Sequence, residues 1–170
     1  MNKGYKTVYI YLNMGICNCK QYYKNNQLKK CTCDMPLFTF NELRCHAKVV
    51  SVYDGDTFKA CIYRKNEIIK INCRTLGYDS AEMKPRLNIK NRDEHIKKAK
   101  KAKQRFIELT TTSNSLVYLD CHKFDKYGRV LVVVHKTKDD YNRNSSRSIN
   151  QIMIDEGHGI PYDGGTKAPI

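Results

Sequence analysis

Three short runs between positions 48 and 74, the first β-branched and apolar and the other two alternating in polarity, constrain the fold of this chain more than any other feature. The runs are Lys48–Tyr53, Thr57–Tyr63 and Ile68–Arg74. In the second run Phe58, Ala60 and Ile62 fall on one face, and this period of two residues is typical of a half-buried β-strand. Turn sequences at residues 54–56 and 64–67 separate the runs. The pattern therefore predicts a meander of three strands.

A helix is predicted after the third strand. Asn91 or Asp93 can cap its N-terminus. The positions that recur at spacings of three and four residues are Ile96, Ala99, Lys103, Phe106 and Leu109. This spacing is typical of a helix that packs one face against a core. Basic residues cover the other face; such a run is usually a solvated surface, and here it would also attract phosphates.

Two further strands and a second helix are predicted beyond this point. The strand candidates are Ser115–Cys121 and Val130–His135. Gly128 between them can supply the positive φ of a hairpin connection. A polar linker follows at 136–147, and then Ser148 is the expected N-cap of a helix over Ile149–Glu156 that ends at Gly157. Five strands with a helix between the third and fourth predict a five-stranded OB-type barrel with helices, in the α+β class.

The charge balance indicates an anionic partner. The chain has 31 Lys and Arg residues against 17 Asp and Glu, which gives a formal net charge of +14 over 170 residues. A surplus of this size favours nucleic acid or an anionic membrane surface. No stretch approaches the roughly 20 apolar residues of a membrane span, and no helix with a broad apolar face is expected. We therefore expect DNA or RNA as the partner, no membrane, and a monomer.

Residues 1–42 differ from the rest of the chain, because they are basic and have little hydrophobic periodicity. We expect a Cys- and Lys-rich N-terminal extension over 1–42 and one domain over 43–170. The apolar patch Val8–Leu12 is short, contains tyrosines and is followed by no clear cleavage pattern. This favours the absence of a secretory signal and an intracellular, cytoplasmic location.

The extension also contains two C-x-C pairs. They are Cys17 with Cys19 and Cys31 with Cys33. Zinc ligands are usually two or more residues apart, so the signal for a metal is weak. Reduced thiols are favoured over a zinc site, and both alternatives stay open.

Three acids and two arginines fall at the ends of the predicted strands. They are Asp56, Asp79, Glu82, Arg74 and Arg129. Each has an ordinary explanation by itself, since D-G-D-T and D-K-Y-G-R are acceptable turn sequences. Together they are the residue types that phosphodiester hydrolysis requires: carboxylates for a hard cation, a base for water, and guanidinium groups for the charge of the transition state.

Residues 46 to about 165 resemble the staphylococcal nuclease family. The resemblance depends on D-G-D-T at 54–57, R-x4-D-S-x-E at 74–82 and D-K-Y-G-R at 125–129, in that order. The run from Ser148 to Gly157 is similar to the late helix of that family, with Asn150 at a matching place. Each motif alone is weak evidence, whereas the ordered set is specific. It covers roughly two-thirds of the chain and implies an OB-type barrel.

The resemblance also implies a metal and a set of catalytic residues. A single calcium ion would be held by Asp56, Asp79 and the main-chain carbonyl of Ser80. Glu82 would orient or deprotonate the attacking water. The scissile phosphate would lie between Arg74 and Arg129.

The same resemblance implies how substrate is bound and which products form. Lys126 and Tyr127 would contact a neighbouring phosphate, and Tyr162 would stack on a base. The family hydrolyses both DNA and RNA and leaves 3′-phosphate and 5′-hydroxyl ends. Two other functions stay open: a non-catalytic OB-fold module that binds nucleic acid, and an interaction protein stabilised by zinc at the C-x-C pairs.

Overall fold

The computed structural model describes residues 19–87, 90–111, 116–143 and 148–163. The chain forms two units, residues 1–38 and residues 39–170. In the first unit residues 19–28 form a helix, α1, which the sequence analysis did not predict. Gln21 Nε2 donates to Asn25 Oδ1 one turn further on, at 3.0 Å. A side-chain hydrogen bond at this spacing supports a helix that has no apolar face.

The second unit is a closed barrel of five strands. The barrel strands are β1 (Arg44–Val52), β2 (Thr57–Arg64), β3 (Glu67–Thr75), β5 (Val117–Phe124) and β6 (Val130–His135). They follow one another in the order β1-β2-β3-β6-β5, and β5 pairs with β1 to close the barrel. The β3/β6 pair is parallel and the other pairs are antiparallel. This architecture confirms the predicted OB-type α+β barrel.

The alternation in β2 and β3 fills the barrel interior as predicted. Phe58, Ala60 and Ile62 are each at most 2% exposed, and Ile71 and Cys73 of β3 are also buried. The turn between the two strands consists of residues 65–66, both with positive φ, which matches the twist of a two-residue hairpin.

Helix α2 (Arg92–Thr110) covers one end of the barrel core with its predicted apolar face. Its buried residues include Ala99, Phe106 and Leu109. Asn91 is the N-cap residue, in the left-handed region at φ 56°, and no side-chain hydrogen bond caps the helix there.

Two further helices lie in the C-terminal part of the chain. Helix α4 (Ile149–Asp155) begins as predicted, because the Ser148 side chain accepts a hydrogen bond from the backbone N–H of Gln151. Helix α3 (Lys138–Asn142) was not predicted, since residues 136–147 were expected to be a linker. Thr137 and Asp140 form a reciprocal capping box at its start, and this local hydrogen bonding supports the short helix.

A second, two-stranded sheet lies beside the barrel and was also missed. It pairs β4 (Tyr78–Ser80) with β7 (Gly159–Pro161). Neither segment was among the five predicted strands. A Cβ on Gly159 would lie 2.4 Å from Cδ2 of the buried Tyr78 ring, so the close pairing of the two strands requires glycine there. The pairing brings the C-terminal segment against the acidic loop 78–82.

Among the described residues, no helix has the length and the apolar character needed to cross a membrane.

Candidate active site

The turn between β1 and β2 forms one wall of the candidate site. Asp54 Oδ1 accepts hydrogen bonds from the backbone N–H groups of Asp56, at 3.2 Å, and Thr57, at 2.8 Å. A Cβ on Gly55 would lie 2.8 Å from Ala102 Cβ and 2.9 Å from Ser80 Cβ. Glycine is therefore needed here because of close approach rather than because of its backbone angles. This packing fixes the turn against α2 and β4.

Arg74 bridges two buried carboxylates at the centre of the site. Its Nη1 lies 3.1 Å from Asp56 Oδ1, and its Nη2 donates to Asp79 Oδ1. Asp56 and Asp79 are each only 2% exposed. The backbone N–H of Ser80 donates to Asp56 Oδ2 at 2.9 Å. These contacts depend on the β2/β3 register, in which Thr57 is opposite Arg74.

Three carboxyl groups, those of Asp54, Asp56 and Asp79, interact with this one arginine. Burial and the nearby charge of Asp56 raise the pKa of Asp54 to about 7. Burial opposes the charged form of Arg74, but the Asp56 and Asp79 carboxylates outweigh it and hold the pKa of the guanidinium above its ordinary value. The acids therefore face each other with one guanidinium between them, and an additional cation would be stabilised there.

The second arginine is oriented by the turn at residues 125–129. Asp125 Oδ2 accepts from Arg129 Nε at 2.7 Å, and Oδ1 accepts from the backbone N–H groups of Tyr127 and Arg129, both at 2.9 Å. Burial opposes the ionised form of Asp125, but these hydrogen bonds outweigh it and hold the pKa below its ordinary value. Gly128 has φ 76°, which confirms the predicted positive φ.

A hydroxyl connects the two arginine environments. Arg129 Nη1 donates to Thr57 Oγ1 at 3.2 Å, and the same hydroxyl donates to Asp56 Oδ1 at 2.8 Å. Thr57 and Asp125 belong to the D-G-D-T and D-K-Y-G-R motifs, but neither had a predicted role. The available sequence signal was that Thr57 follows Asp56 directly and that Asp125 lies four positions before Arg129.

All nine residues named from the sequence line one cavity of about 790 Å³. They are Asp56, Arg74, Asp79, Ser80, Glu82, Lys126, Tyr127, Arg129 and Tyr162. Tyr162 reaches the cavity because its backbone N–H donates to the Gly77 carbonyl at 2.9 Å. The cavity is therefore formed by segments that are distant in sequence, from Tyr53 to Tyr162.

The cavity has further basic residues that the sequence analysis did not single out. They are Lys84, Arg86 and Lys123. Lys84 and Arg86 lie two and four positions after Glu82, and Lys123 lies two positions before the D-K-Y-G-R motif. Proximity to the motifs was the only sequence signal for them, because surface lysines and arginines are frequent throughout this chain.

The donor set of the cavity suits a hard cation only in part. Asp56 and Asp79 supply carboxylate oxygens, which calcium prefers. The buried Ser80 Oγ has no hydrogen-bond partner, although its backbone is bonded to Asp56. Among the described residues no group of three His, Cys, Asp or Glu side chains could hold a metal ion. A cation at this place would therefore take most of its ligands from carbonyl oxygen or water, and would share the two carboxylates with Arg74.

The late helix fixes the acidic loop to the barrel through one amide. Asn150 Oδ1 accepts from the backbone N–H of Val134 at 2.9 Å. Its Nδ2 donates to the carbonyls of Leu76, at 2.7 Å, and Val132, at 3.2 Å. All three partners are backbone groups of β6 and of the segment that leads into β4, so this side chain positions Asp79 indirectly.

Three cysteines of the N-terminal unit are among the described residues. Cys19, Cys31 and Cys33 are free, exposed thiols, and Cys17 lies outside the described residues. A zinc site at the two C-x-C pairs requires Cys17 and therefore stays an untested alternative.

The chain matches no protein-family model and no curated protein sequence. The fold and the cavity define the class, an OB-type α+β barrel with an acidic and arginine-rich pocket between its loops. The resemblance to the staphylococcal nuclease family stays a prediction from the three ordered motifs.

Proposed function

We propose that this chain is a calcium-dependent nuclease similar to the staphylococcal nuclease family. It hydrolyses phosphodiester bonds of DNA, RNA or both, and leaves 3′-phosphate and 5′-hydroxyl ends. One observation carries the proposal: Arg74 and Arg129 line the same cavity as Asp56, Asp79 and Glu82. Together these side chains can bind a cation, bind a phosphate and activate an attacking water.

The two arginines bind the scissile phosphate in this proposal. Guanidinium groups are planar, stay charged and can donate two parallel hydrogen bonds to phosphate oxygens. Charge on those oxygens increases as water attacks, so donors that are already oriented stabilise the transition state more than the ground state. Arg129 is oriented by Asp125 and Thr57, which supports this role.

Calcium, when bound, polarises a phosphate oxygen and orients the attacking water. Asp56, Asp79 and the Ser80 carbonyl are the residues that would hold it. Asp56 and Asp79 are both buried and line the same cavity, which supports a cation at this place. Glu82 lines the same cavity and would accept the proton of the water as a general base.

Substrate is held by the exposed side of the D-K-Y-G-R turn. Tyr127 is 71% exposed, and Lys126 Nζ and Arg129 Cζ lie 5.1 and 5.3 Å from its ring centroid. A tyrosine whose ring is contacted by two cations is suited to a second phosphate. Tyr162 offers an aromatic ring in the same cavity, on which a base can stack.

The second candidate is a non-catalytic module that binds nucleic acid through the same basic cavity. Two observations favour it: Arg74 already bridges Asp56 and Asp79, and no three-ligand group was found among the described residues. In that case the carboxylates would only position Arg74 for a phosphate.

Cleavage assays separate the two candidates. The full chain is incubated with plasmid DNA, a single-stranded oligonucleotide and RNA, in calcium, in chelator, and in chelator followed by excess calcium. The nuclease proposal expects cleavage that chelator abolishes and calcium restores, with 3′-phosphate ends. Glu82→Gln should lose about 10²–10³ in rate, whereas Glu67→Gln, at the exposed start of β3, should keep full activity. Binding without cleavage under every condition would establish the module instead.

A further inference from the structure

A second cavity, of about 730 Å³, lies next to the candidate active site. The two cavities share four lining residues: Tyr53, Thr57, Tyr127 and Arg129. The remaining lining residues come from β1, β2, β3 and α2. The ridge formed by Tyr127 and Arg129 therefore has a cavity on either side. We refer to the second cavity as the neighbouring groove.

The neighbouring groove differs from the active-site cavity in charge. Lys59 of β2, Lys103 of α2 and Asn72 of β3 line it, and none of its lining residues is acidic. The active-site cavity, in contrast, contains five acids among its lining residues. Hydrolysis needs carboxylates, so the neighbouring groove is suited to binding anions rather than to cleaving them.

Two aromatic rings at the groove are open to solvent. Tyr53 is 53% exposed and Tyr127 is 71% exposed. Rings of this kind, interleaved with cations, are the arrangement by which proteins hold single-stranded nucleic acid: bases stack on the rings and phosphates contact the lysines. A base in a duplex has both faces covered by its neighbours and cannot stack in this way.

We propose that the neighbouring groove binds the nucleotide adjacent to the scissile phosphate of a single-stranded nucleic acid. This inference rests on the proposed nuclease function. A strand would cross the ridge of Tyr127 and Arg129, with the scissile phosphate at Arg129 and the next phosphate between Lys59 and Lys103. Asn72 can donate to or accept from the sugar or base of that nucleotide.

The groove predicts a dependence of cleavage on substrate length. A single-stranded octanucleotide occupies both cavities, whereas the nitrophenyl ester of a nucleoside 5′-phosphate carries one nucleoside and cannot fill the groove. The double variant Lys59→Ala/Lys103→Ala should lower kcat/KM about tenfold for the octanucleotide, as expected for loss of a charge-assisted contact. It should leave the nitrophenyl ester unaffected.

A matched control removes the same charge elsewhere on α2. Lys98 and Lys101 are exposed and line neither cavity, so Lys98→Ala/Lys101→Ala should change octanucleotide cleavage much less. Binding of a fluorescent octanucleotide is measured in chelator over a range of salt concentrations. The groove variant should reduce the slope of log K against log salt by about 0.7, because the two lysines together neutralise one phosphate of the single strand.

The outcomes are distinguishable. Equal octanucleotide losses in the groove and control variants, or equal losses on both substrates, would overturn the inference, because neither result requires a second nucleotide site. An equal loss of affinity for a duplex would overturn the preference for single strands. If the unaltered chain cleaves neither substrate, the nuclease proposal fails, and the binding measurement in chelator still decides whether the groove holds single strands.

Discussion

Arg129 Nη1 lies 3.2 Å from Thr57 Oγ1, so a turn between β5 and β6 is joined to the turn between β1 and β2. The same Thr57 hydroxyl donates a hydrogen bond to Asp56 Oδ1 at 2.8 Å. Asp56 in turn contacts Arg74. The two guanidinium groups are thus held through one hydroxyl and one carboxylate, and neither is positioned independently of the other.

Thr57→Val should lower kcat by about 10- to 100-fold and leave KM nearly unchanged. Valine has the shape of threonine without its hydroxyl, so Arg129 and Asp56 lose their common partner. Thr57→Ser keeps the hydroxyl and should restore most of the rate. Steady-state kinetics on a single-stranded oligonucleotide provide the measurement, and an unchanged kcat in the valine variant would contradict a positioning role.

Arg74→Met should lower the free energy of unfolding by about 3–5 kcal/mol in chelator, because two buried carboxylates lose their cation. Calcium should then stabilise the variant more than the unaltered chain, since the ion no longer competes with a guanidinium. Urea denaturation with and without calcium tests both statements.

Arg44→Met is the matched control for that experiment. Arg44 pairs with Asp120 at the surface, where its side chain is 48% exposed, and exposed pairs contribute little. Its loss should be small and independent of calcium. Equal calcium stabilisation of the Arg74 variant and the unaltered chain would argue against a cation at Asp56 and Asp79.

Asp125→Asn should remove a pH-dependent contribution to stability. Hydrogen bonds from Arg129 and Tyr127 lower the pKa of Asp125 in the folded chain. A lowered folded pKa stabilises the fold above the unfolded pKa of about 3.9, and the contribution is lost as pH falls through the folded pKa. The variant should lose about 1–2 kcal/mol at pH 7 and show a weaker decrease below pH 4. Urea denaturation between pH 2 and pH 7 measures it.

Gly55→Ala should destabilise the fold by about 1–3 kcal/mol, because the added methyl group overlaps two side chains. Its Cβ would lie 2.8 Å from Ala102 Cβ. Adding Ala102→Gly to this variant removes one of the overlapping groups. The double variant should therefore be more stable than the sum of the two single losses of unfolding free energy implies. A double-mutant cycle by urea denaturation gives the coupling, and additive losses would mean that the two residues do not clash.

Asn150→Ala should cost about 2–4 kcal/mol, since it leaves buried backbone groups of Val134, Leu76 and Val132 without their side-chain partner. Asn142→Ala, at the exposed end of α3, provides the control and should cost little. Thermal denaturation measures both. Similar melting temperatures for the two variants would contradict the account of Asn150.

Strands β2 and β3 and helix α2 were predictable because each has a strong local period, and helix α4 was predictable from its Ser148 cap. Phe58, Ala60 and Ile62 alternate strictly, and the apolar residues of α2 recur at helical spacing. The two short strands β4 and β7 have three residues each, too few to show a period. Helix α3 is five residues long and has no buried residue, so its only signal was the Thr137 cap.

The sequence by itself determined the alternation that closes a barrel and the residue types that gather at one end of it. It did so because strand periodicity and turn chemistry act over a few neighbouring residues. Only the tertiary structure decided that Arg74 lies between Asp56 and Asp79. It also decided that the ridge of Tyr127 and Arg129 has the active-site cavity on one side and the neighbouring groove on the other. Those relationships depend on strand register and on packing between distant segments, which no local pattern specifies.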